Sequence, residues 1–369
     1  MEKKKHKTIK KLIGLMSGTS LDGLDIVYVQ FTEKDEIISY KLIYSKTVDY
    51  SDELESKIKK SATLGLAEIQ ILDKAIGLFY AQEVQNFIDE FHIDPKEITA
   101  IASHGQTILH QPENGFTLQI GCGGTLAYHT GVNVINDFRT KDVIAGGQGA
   151  PLVPIGDFDL FHKKASSFLN IGGFCNISFK TNDVIQAFDI CPGNLPLNKF
   201  SNELGAAFDK DGYFASEGKL NAELLKRLND LDYYNQPNPK SLGTEWLEAS
   251  FYPKIQRDLI TKDIIHTLCV HYVEQIAKVL NQQNISSVFV SGGGAKNKFI
   301  TNALQKQFNG EVIIPGIETI DFKEAIIFAY LGYCYILNKP TTIQSVTGST
   351  IALSTGVLHK PGYPTYPQS

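Results

Sequence analysis

The stretch KLIGLMSGTSLDGLDIVYVQF, Lys11 to Phe31, decides the fold. Its first part, Lys11 to Met16, and its last, Leu24 to Phe31, are β-rich apolar runs, and between them lie Ser17-Gly18-Thr19-Ser20-Leu21-Asp22-Gly23. Small polar residues and two glycines between such runs read as strand, Gly-rich hairpin, strand. A third strand from Ile37 to Tyr44 extends the meander. The same design returns at mid-chain as Ser167 to Ile171, then Gly172-Gly173-Phe174-Cys175-Asn176, then Ile177 to Phe179. The chain therefore reads as a distant internal duplication.

Working outward, Leu66, Ile69, Leu72, Ile76, Phe79, Val84, Phe87 and Phe91 recur near a 3.6 period and predict an amphipathic helix from Leu66 to Phe91. Ile98 to Ala102, Phe116 to Ile120 and Val132 to Ile135 read as short strands. In the second half, helices are expected at Lys219 to Leu228 and Lys262 to Leu280, a strand at Ser287 to Val290, a turn at Gly292-Gly293-Gly294, a helix from about Lys296, and a last helix from Asp321 to Leu337. The polar run DLDYYNQPNPKSL, Asp230 to Leu242, reads as a surface loop. Alternating strand and helix signals imply an α/β fold. A chain of 369 residues divides into two domains. We expect one from residues 1–130 completed by about 340–369, and the other from 131–339.

The 35 Lys+Arg against 40 Asp+Glu give a net charge of −5, which argues against nucleic acid or an anionic membrane as partner. No segment approaches the ~20 apolar residues of a membrane span. The basic start MEKKKHKTIKK reads as a solvated tail without a signal peptide's apolar run. Five scattered cysteines with no C-x-x-C pair suggest neither a disulfide framework nor a zinc site, and a reducing cytoplasm fits them. His110, His129, His162, His266 and His271 show no metal-ligand spacing. A homodimer is compatible with this composition.

Glycine turns at strand ends let backbone N–H groups approach a polyphosphate, because no Cβ stands in the way. The P-loop pattern and a G-x-G-x-x-G opening a helix are both missing. A single glycine hairpin is more often only a hairpin. Two such hairpins, one opening each half, plus a strand–GGG–helix junction, resemble the actin, sugar-kinase and Hsp70-like nucleotide-binding fold. That resemblance implies two related actin-like ATPase domains around a central nucleotide cleft, with hairpins on the phosphates and the late glycine run on the adenosine. Met16 and Asn170 stand where those hairpins usually carry aspartate, which directs the search for a Mg²⁺ contact to Asp22, through water, or to Asp189.

The resemblance sharpens when longer motifs are read. GLMSGTSLDGLD (Gly14 to Asp25), ASHGQTILHQP (Ala102 to Pro112), TLQIG (Thr117 to Gly121), DFRTKDVIAGGQGAPLVP (Asp137 to Pro154), LNIGGFCNIS (Leu169 to Ser178), PKSLGTEW (Pro239 to Trp246), SGGGAKN (Ser291 to Asn297) and SVTG (Ser345 to Gly348) resemble the anhydro-N-acetylmuramic acid kinase family. In order, they cover nearly the whole chain. The resemblance implies an ATP- and Mg²⁺-using enzyme that opens 1,6-anhydro-N-acetylmuramic acid with water and phosphorylates O6. It implies ATP contacts at Gly18, Thr19, Ser20, Leu21, Asp22, Gly23, Leu24 and Asp25, at Gly172, Gly173 and Asn176, and at Gly292, Gly293 and Gly294. A sugar-sensing protein of the same fold, or a phosphatase, remains the alternative, since fold does not establish function.

Five features carry the expected chemistry. Asp189 in AFDICPGN matches the aspartate of the family's usual FDTGPGN, where it serves as general base, with Ile190 and Cys191 in place of Thr and Gly; its ordinary reading is an Asx turn before Pro192. Glu324 is either a residue at the substrate end assisting the water, as the resemblance implies, or the capping-box partner of an Asp321 N-cap, worth about 1 kcal/mol or less. Arg139 is either a fork for the substrate's lactyl carboxylate or a salt-bridge partner of Asp137 or Asp142. His104 and Gln106, in SHGQT, are candidates for sugar hydroxyls, although a lone His is more often structural. The glycine-dense run from Ala145 to Pro151 is expected to lie against ligand, with Gly147 and Gln148 as substrate contacts.

Overall fold

The computed structural model describes residues 7–18, 21, 23–256 and 258–362. In chain order the strands are β1 (Lys7–Ser17), β2 (Leu24–Lys34), β3 (Ile37–Val48), β4 (Ile98–Ser103), β5 (Gln106–Gln111), β6 (Phe116–Ile120), β7 (Val134–Asn136), β8 (Ser167–Ile171), β9 (Phe174–Thr181), β10 (Val184–Pro192), β11 (Ser287–Ser291), β12 (Glu311–Ile313) and β13 (Val357–His359). The chain forms two compact units, Met1–Leu160 with Phe322–Ser369, and Phe161–Asp321.

The sheet of the first unit has the order β13-β7-β4-β1-β2-β3. β1, β2 and β3 are an antiparallel meander, and β4 and β7 join parallel to β1 and to each other. Residues Leu12 to Leu15 of β1 are all buried, as expected of a strand covered on both faces. On one face the helix Leu66–Glu90 sets Leu72, Ile76, Tyr80, Val84 and Phe87 against Ile13, Leu15, Leu24 and Ile26. That spacing is one helical stripe, and each such side chain contributes about 1.5–3 kcal/mol when fully buried. The helix Ile317–Ile336 covers the other face so closely that a Cβ on Gly14 would stand 2.2 Å from the Ala325 carbonyl oxygen. Packing, not backbone conformation, demands glycine there. A two-stranded sheet, β5 with β6, stands separately.

The second unit repeats the plan. Its order is β10-β9-β8-β11-β12, with β8, β9 and β10 antiparallel and β11 and β12 parallel additions. In both units the chain leaves the third strand of the meander and reaches the fourth strand of the sheet through a long helix, Leu66–Glu90 in one and Thr261–Gln282 in the other. A shorter helix then leads to the fifth strand, Gly123–Thr130 or Lys298–Gln307. The core gathers Leu169, Ile171, Ile177, Val288 and Val290 with Leu268, Tyr272 and Ile276. The duplication expected from the two hairpins is thus a duplication of connectivity.

The units divide at 160/161 and 321/322, where the sequence placed divisions near 130 and 340. The physical reason is pairing: β7 continues the first sheet through Val134 and Ile135 bonded to β4, and most of the helix Ile317–Ile336 packs on β1 and β4. That helix also corrects the reading of Asp321 as an N-cap. It begins four residues earlier, so Asp321 lies inside it and pairs instead with Lys296 at 2.5 Å. The capping-box account of Glu324 therefore falls.

Candidate active site

In the second unit three glycine turns meet at one corner. A Cβ on Gly292, at φ +80°, would stand 2.4 Å from Asn170 Oδ1, one on Gly294 2.1 Å from Ile171 Cγ2, and one on Gly193 2.4 Å from the Gly172 carbonyl oxygen. The amide N–H groups of Gly193 and Asn194 donate to the Gly173 and Gly172 carbonyls at 3.0 and 2.8 Å, and Asn194 Nδ2 donates to the Ile171 carbonyl at 3.2 Å. Close backbone approach among these turns is what requires the glycines. Gly193 and Asn194 escaped the sequence reading, although the Pro-Gly-Asn turn was their signal. The helix expected from about Lys296 starts at Lys298, capped by Asn297 Oδ1 on the Ile300 amide at 3.1 Å.

Asp189 lies within β10, not beyond its end. In register across the sheet, Ser291, Asn170, Asn176 and Asp189 form one row over β11, β8, β9 and β10, and in-register neighbours share a face. The amides of Asn170 and Asn176 thus occupy the positions beside this carboxylate with no added charge. Asp189 Oδ2 accepts the Leu242 amide at 2.8 Å, which replaces the Asx turn of the ordinary reading. Its own N–H donates to the Lys240 carbonyl at 3.0 Å, and Tyr233 Oη donates to its carbonyl at 2.6 Å. Burial lifts the Asp189 carboxyl to about 6, opposed only by the Leu242 hydrogen bond. The loop read as surface is exposed from Asn235 to Pro239, while its two ends hold Asp189: Tyr233 is 3% exposed, and Lys240 Nζ donates to the Tyr233 carbonyl at 2.9 Å. Ile190 and Cys191, the departures from the family pattern, are side chains of the unit's core.

In the first unit the β1–β2 hairpin holds Leu21 at φ +58° and Gly23 at φ +136°, and the Leu21 amide donates to the Gly18 carbonyl at 3.3 Å. A branched residue held in the left-handed region is strained, a state found at ligand-gripping turns. Thr19, Ser20 and Asp22 lie outside the described residues. The Leu24 side chain is fully buried in the core. Asp25 Oδ1 accepts from Thr47 Oγ1. Gln106 is spoken for as well: its Oε1 accepts from Ser17 Oγ, which also bonds Tyr50 Oη at 2.6 Å.

Arg139 organises the remaining cluster. Its Nε and Nη2 donate to His104 Nε2 at 3.1 and 2.9 Å, and its Nη1 donates to the Gly149 carbonyl at 2.6 Å. Accepting from a guanidinium fixes His104 as the neutral Nδ1–H tautomer, and burial beside Arg139 drops its pKa to about 3. His104 Nδ1 has no partner at hydrogen-bond distance, although the Ser17 and Gly105 carbonyls lie near enough to favour its proton. Neither Asp137 nor Asp142 forms the expected ion pair. Asp142 instead accepts the Gly149 amide and Thr347 Oγ1, both at 2.8 Å, and a Cβ on Gly147 would stand 2.3 Å from Asp142 Oδ2. The absence of a Cβ at Gly147 makes room for the loop's own carboxylate, and the Gln148 side chain is exposed. Burial lowers Arg139 to about 10, opposed first by Glu324 and then by Asp142, so Glu324 stands in the field of this guanidinium. Two guanidinium N–H groups are left for a further acceptor.

No group of three His, Cys, Asp or Glu side chains able to hold a metal occurs among the described residues. No described helix is long and apolar enough to cross a membrane.

Comparison with known proteins places these features in a family. The family model described as anhydro-N-acetylmuramic acid kinase matches residues 10–361. A protein of Legionella pneumophila strain Lens bearing that name is 36% identical over 353 residues, covering 91% of this chain and 94% of its own. One of Shewanella amazonensis, with the same name, is 37% identical over 357 residues, covering 91% and 95%. Among solved structures, component A of the (R)-2-hydroxyglutaryl-CoA dehydratase of Acidaminococcus fermentans is similar at TM-score 0.45 and 12% identity, covering 87% of this chain and 96% of that one. The match across both units, from β1 to the carboxyl-terminal strand, shows that the chain belongs to the anhydro-N-acetylmuramic acid kinase family.

Proposed function

We propose that the chain converts 1,6-anhydro-N-acetylmuramic acid, water and ATP to N-acetylmuramic acid 6-phosphate and ADP, a step of amino-sugar recycling from peptidoglycan in the cytoplasm. The observation that carries this reading is Asp189, a carboxylate held by a single amide with no cation beside it and lifted to about 6, the value suited to a general base near neutrality. Asp189 takes a proton from water as its oxygen bonds C1. The C1–O6 bond breaks, and O6 attacks the γ-phosphoryl group in line while ADP leaves. The Gly18–Asp25 and Gly172–Asn176 turns bind phosphate, and Gly292–Gly294 pack on adenosine. Arg139 directs its two remaining N–H groups to the lactyl carboxylate, and Glu324 serves the substrate end beside it. Mg²⁺ enters with the nucleotide phosphates, with Asp22 as its contact through water.

The oxygen of water tests the reading. In ¹⁸O-water, with product analysed before anomeric exchange, label is expected at C1 and none in the transferred phosphoryl group. Label in free phosphate with the anhydro ring intact would make the protein an ATPase that only binds the sugar.

A further inference from the structure

The loop that holds Asp189 also walls a pocket of about 140 Å³ in the second unit, between β10 and the end of the helix Thr261–Gln282. By the measure in which one water needs roughly 10–15 Å³, this is room for a polyatomic ion and several waters. Its polar lining includes Lys240, Lys278, Gln236, Asn238, Gln275 and Gln282, with no carboxylate among the lining residues. Neither lysine forms an ion pair among the described residues. Glu274, one turn before Lys278, uses Oε2 on Asn229 Nδ2 at 2.8 Å. Both lysines line the pocket, burial and the Lys278 ammonium both depress the Lys240 pKa, and Lys240 Nζ lies 4.5 Å from the Tyr233 ring centroid, so two cations share the pocket with no acidic residue in its lining. Amide and ammonium donors around an uncompensated double positive charge are the chemistry of an oxyanion site.

We propose that this pocket binds a phosphate-type oxyanion, free or as a sugar monoester, and that its occupancy fastens the Tyr233–Leu242 segment onto Asp189. The coupling runs through short bonds. Lys240 Nζ bonds the Tyr233 carbonyl, Tyr233 Oη bonds the Asp189 carbonyl, the Lys240 carbonyl accepts the Asp189 amide, and the Leu242 amide bonds the carboxylate. An anion between Lys240 and Lys278 removes their repulsion and so stabilises the segment where it stands. The binding site itself stands apart from the reading of Asp189 as a base, which the labelling experiment tests separately.

Calorimetric titration of the full chain, saturated with a non-hydrolysable ATP analogue so that the nucleotide site is filled, tests the proposal. Inorganic phosphate and glucose 6-phosphate are the two probes, and the tighter one identifies the source. Lys278→Gln should weaken the better probe by ~10-fold or more, as loss of a charged hydrogen bond does, while sugar-dependent turnover without added anion stays at the wild-type level. Phosphate binding should also slow amide exchange at Leu242 in the wild type and not in Lys278→Gln. No saturable binding of either probe, or equal affinity in the variant, overturns the site. Binding that leaves Leu242 exchange unchanged overturns the coupling.

Discussion

The two units share one order of strands and helices, yet the clusters around Arg139 and Asp189 treat charge in opposite ways. In the first, the buried ionic groups among the described residues have fixed partners: Arg139 with His104 and Gly149, Asp142 with Gly149 and Thr347, and Lys323 with Asp157 at 2.9 Å. In the second, Asp189 has one amide on its carboxylate, two neutral Asn side chains in its row, and a raised pKa. Repetition of a fold thus yields one unit suited to orienting a substrate and one suited to moving a proton. Removing a partner breaks the first kind of site, whereas changing pH switches the second.

The largest effect should come from Asp189→Asn. Turnover with the anhydro sugar is expected to fall ~10²-fold or more, with nucleotide binding kept and the melting temperature at pH 7 no lower than wild type, because the variant no longer buries a carboxylate. Steady-state kinetics and calorimetry check this together, and wild-type turnover would remove Asp189 from the mechanism.

Glu324→Gln tests the fixed-charge unit. With the capping role excluded, its turnover should fall by about tenfold without a change in melting temperature. Arg139 should stay protonated at pH 7, so the pH dependence should not move. A shifted acid limb in this variant would mean that the first unit also holds a titrating catalytic group.

Gly292→Ala should destabilise the protein by about 1–3 kcal/mol, since its Cβ meets Asn170 at a positive φ. Gly131→Ala, also at positive φ but with open space around it, should cost about 1 kcal/mol or less. Equal losses in chemical denaturation would show that backbone strain alone, not the packed glycine corner, sets the cost. Also smaller than the Gly292 effect, Tyr233→Phe should lose about 0.5–1.5 kcal/mol for its bond to the Asp189 carbonyl, read from the same curves.

Much of this architecture was legible because its signals are local. The two hairpins, the stripe from Leu72 to Phe87, and the glycine turns announce themselves within a few residues. What stayed hidden was long-range. Leu242 and Tyr233 reach Asp189 across 53 and 44 residues from a segment whose polar composition reads as surface, and Thr347 reaches Asp142 across 205. Glu324 misled for a local reason: Asp321 and Glu324 have the capping-box spacing, while the helix's true first turn, Ile317 to Ile320, is rich in β-branched residues of weaker helix propensity. The glycine run near Gly147 could not reveal its packing on Asp142, since a ligand and a buried carboxylate leave the same trace in sequence.

The most direct measurement is kcat/KM for the anhydro sugar between pH 4.5 and 8, for wild type and Asp189→Asn. The sign follows from the raised pKa. As a base Asp189 works when deprotonated, so activity should fall with acid through a midpoint of about pH 6. Its contribution to stability runs the other way, present below the unfolded value of 3.8 and lost as pH rises through about 6. The account predicts an acid limb near pH 6 in the wild type that is missing from the residual activity of Asp189→Asn. A wild-type profile flat from pH 5 to 7, or the same limb retained in the variant, would contradict it.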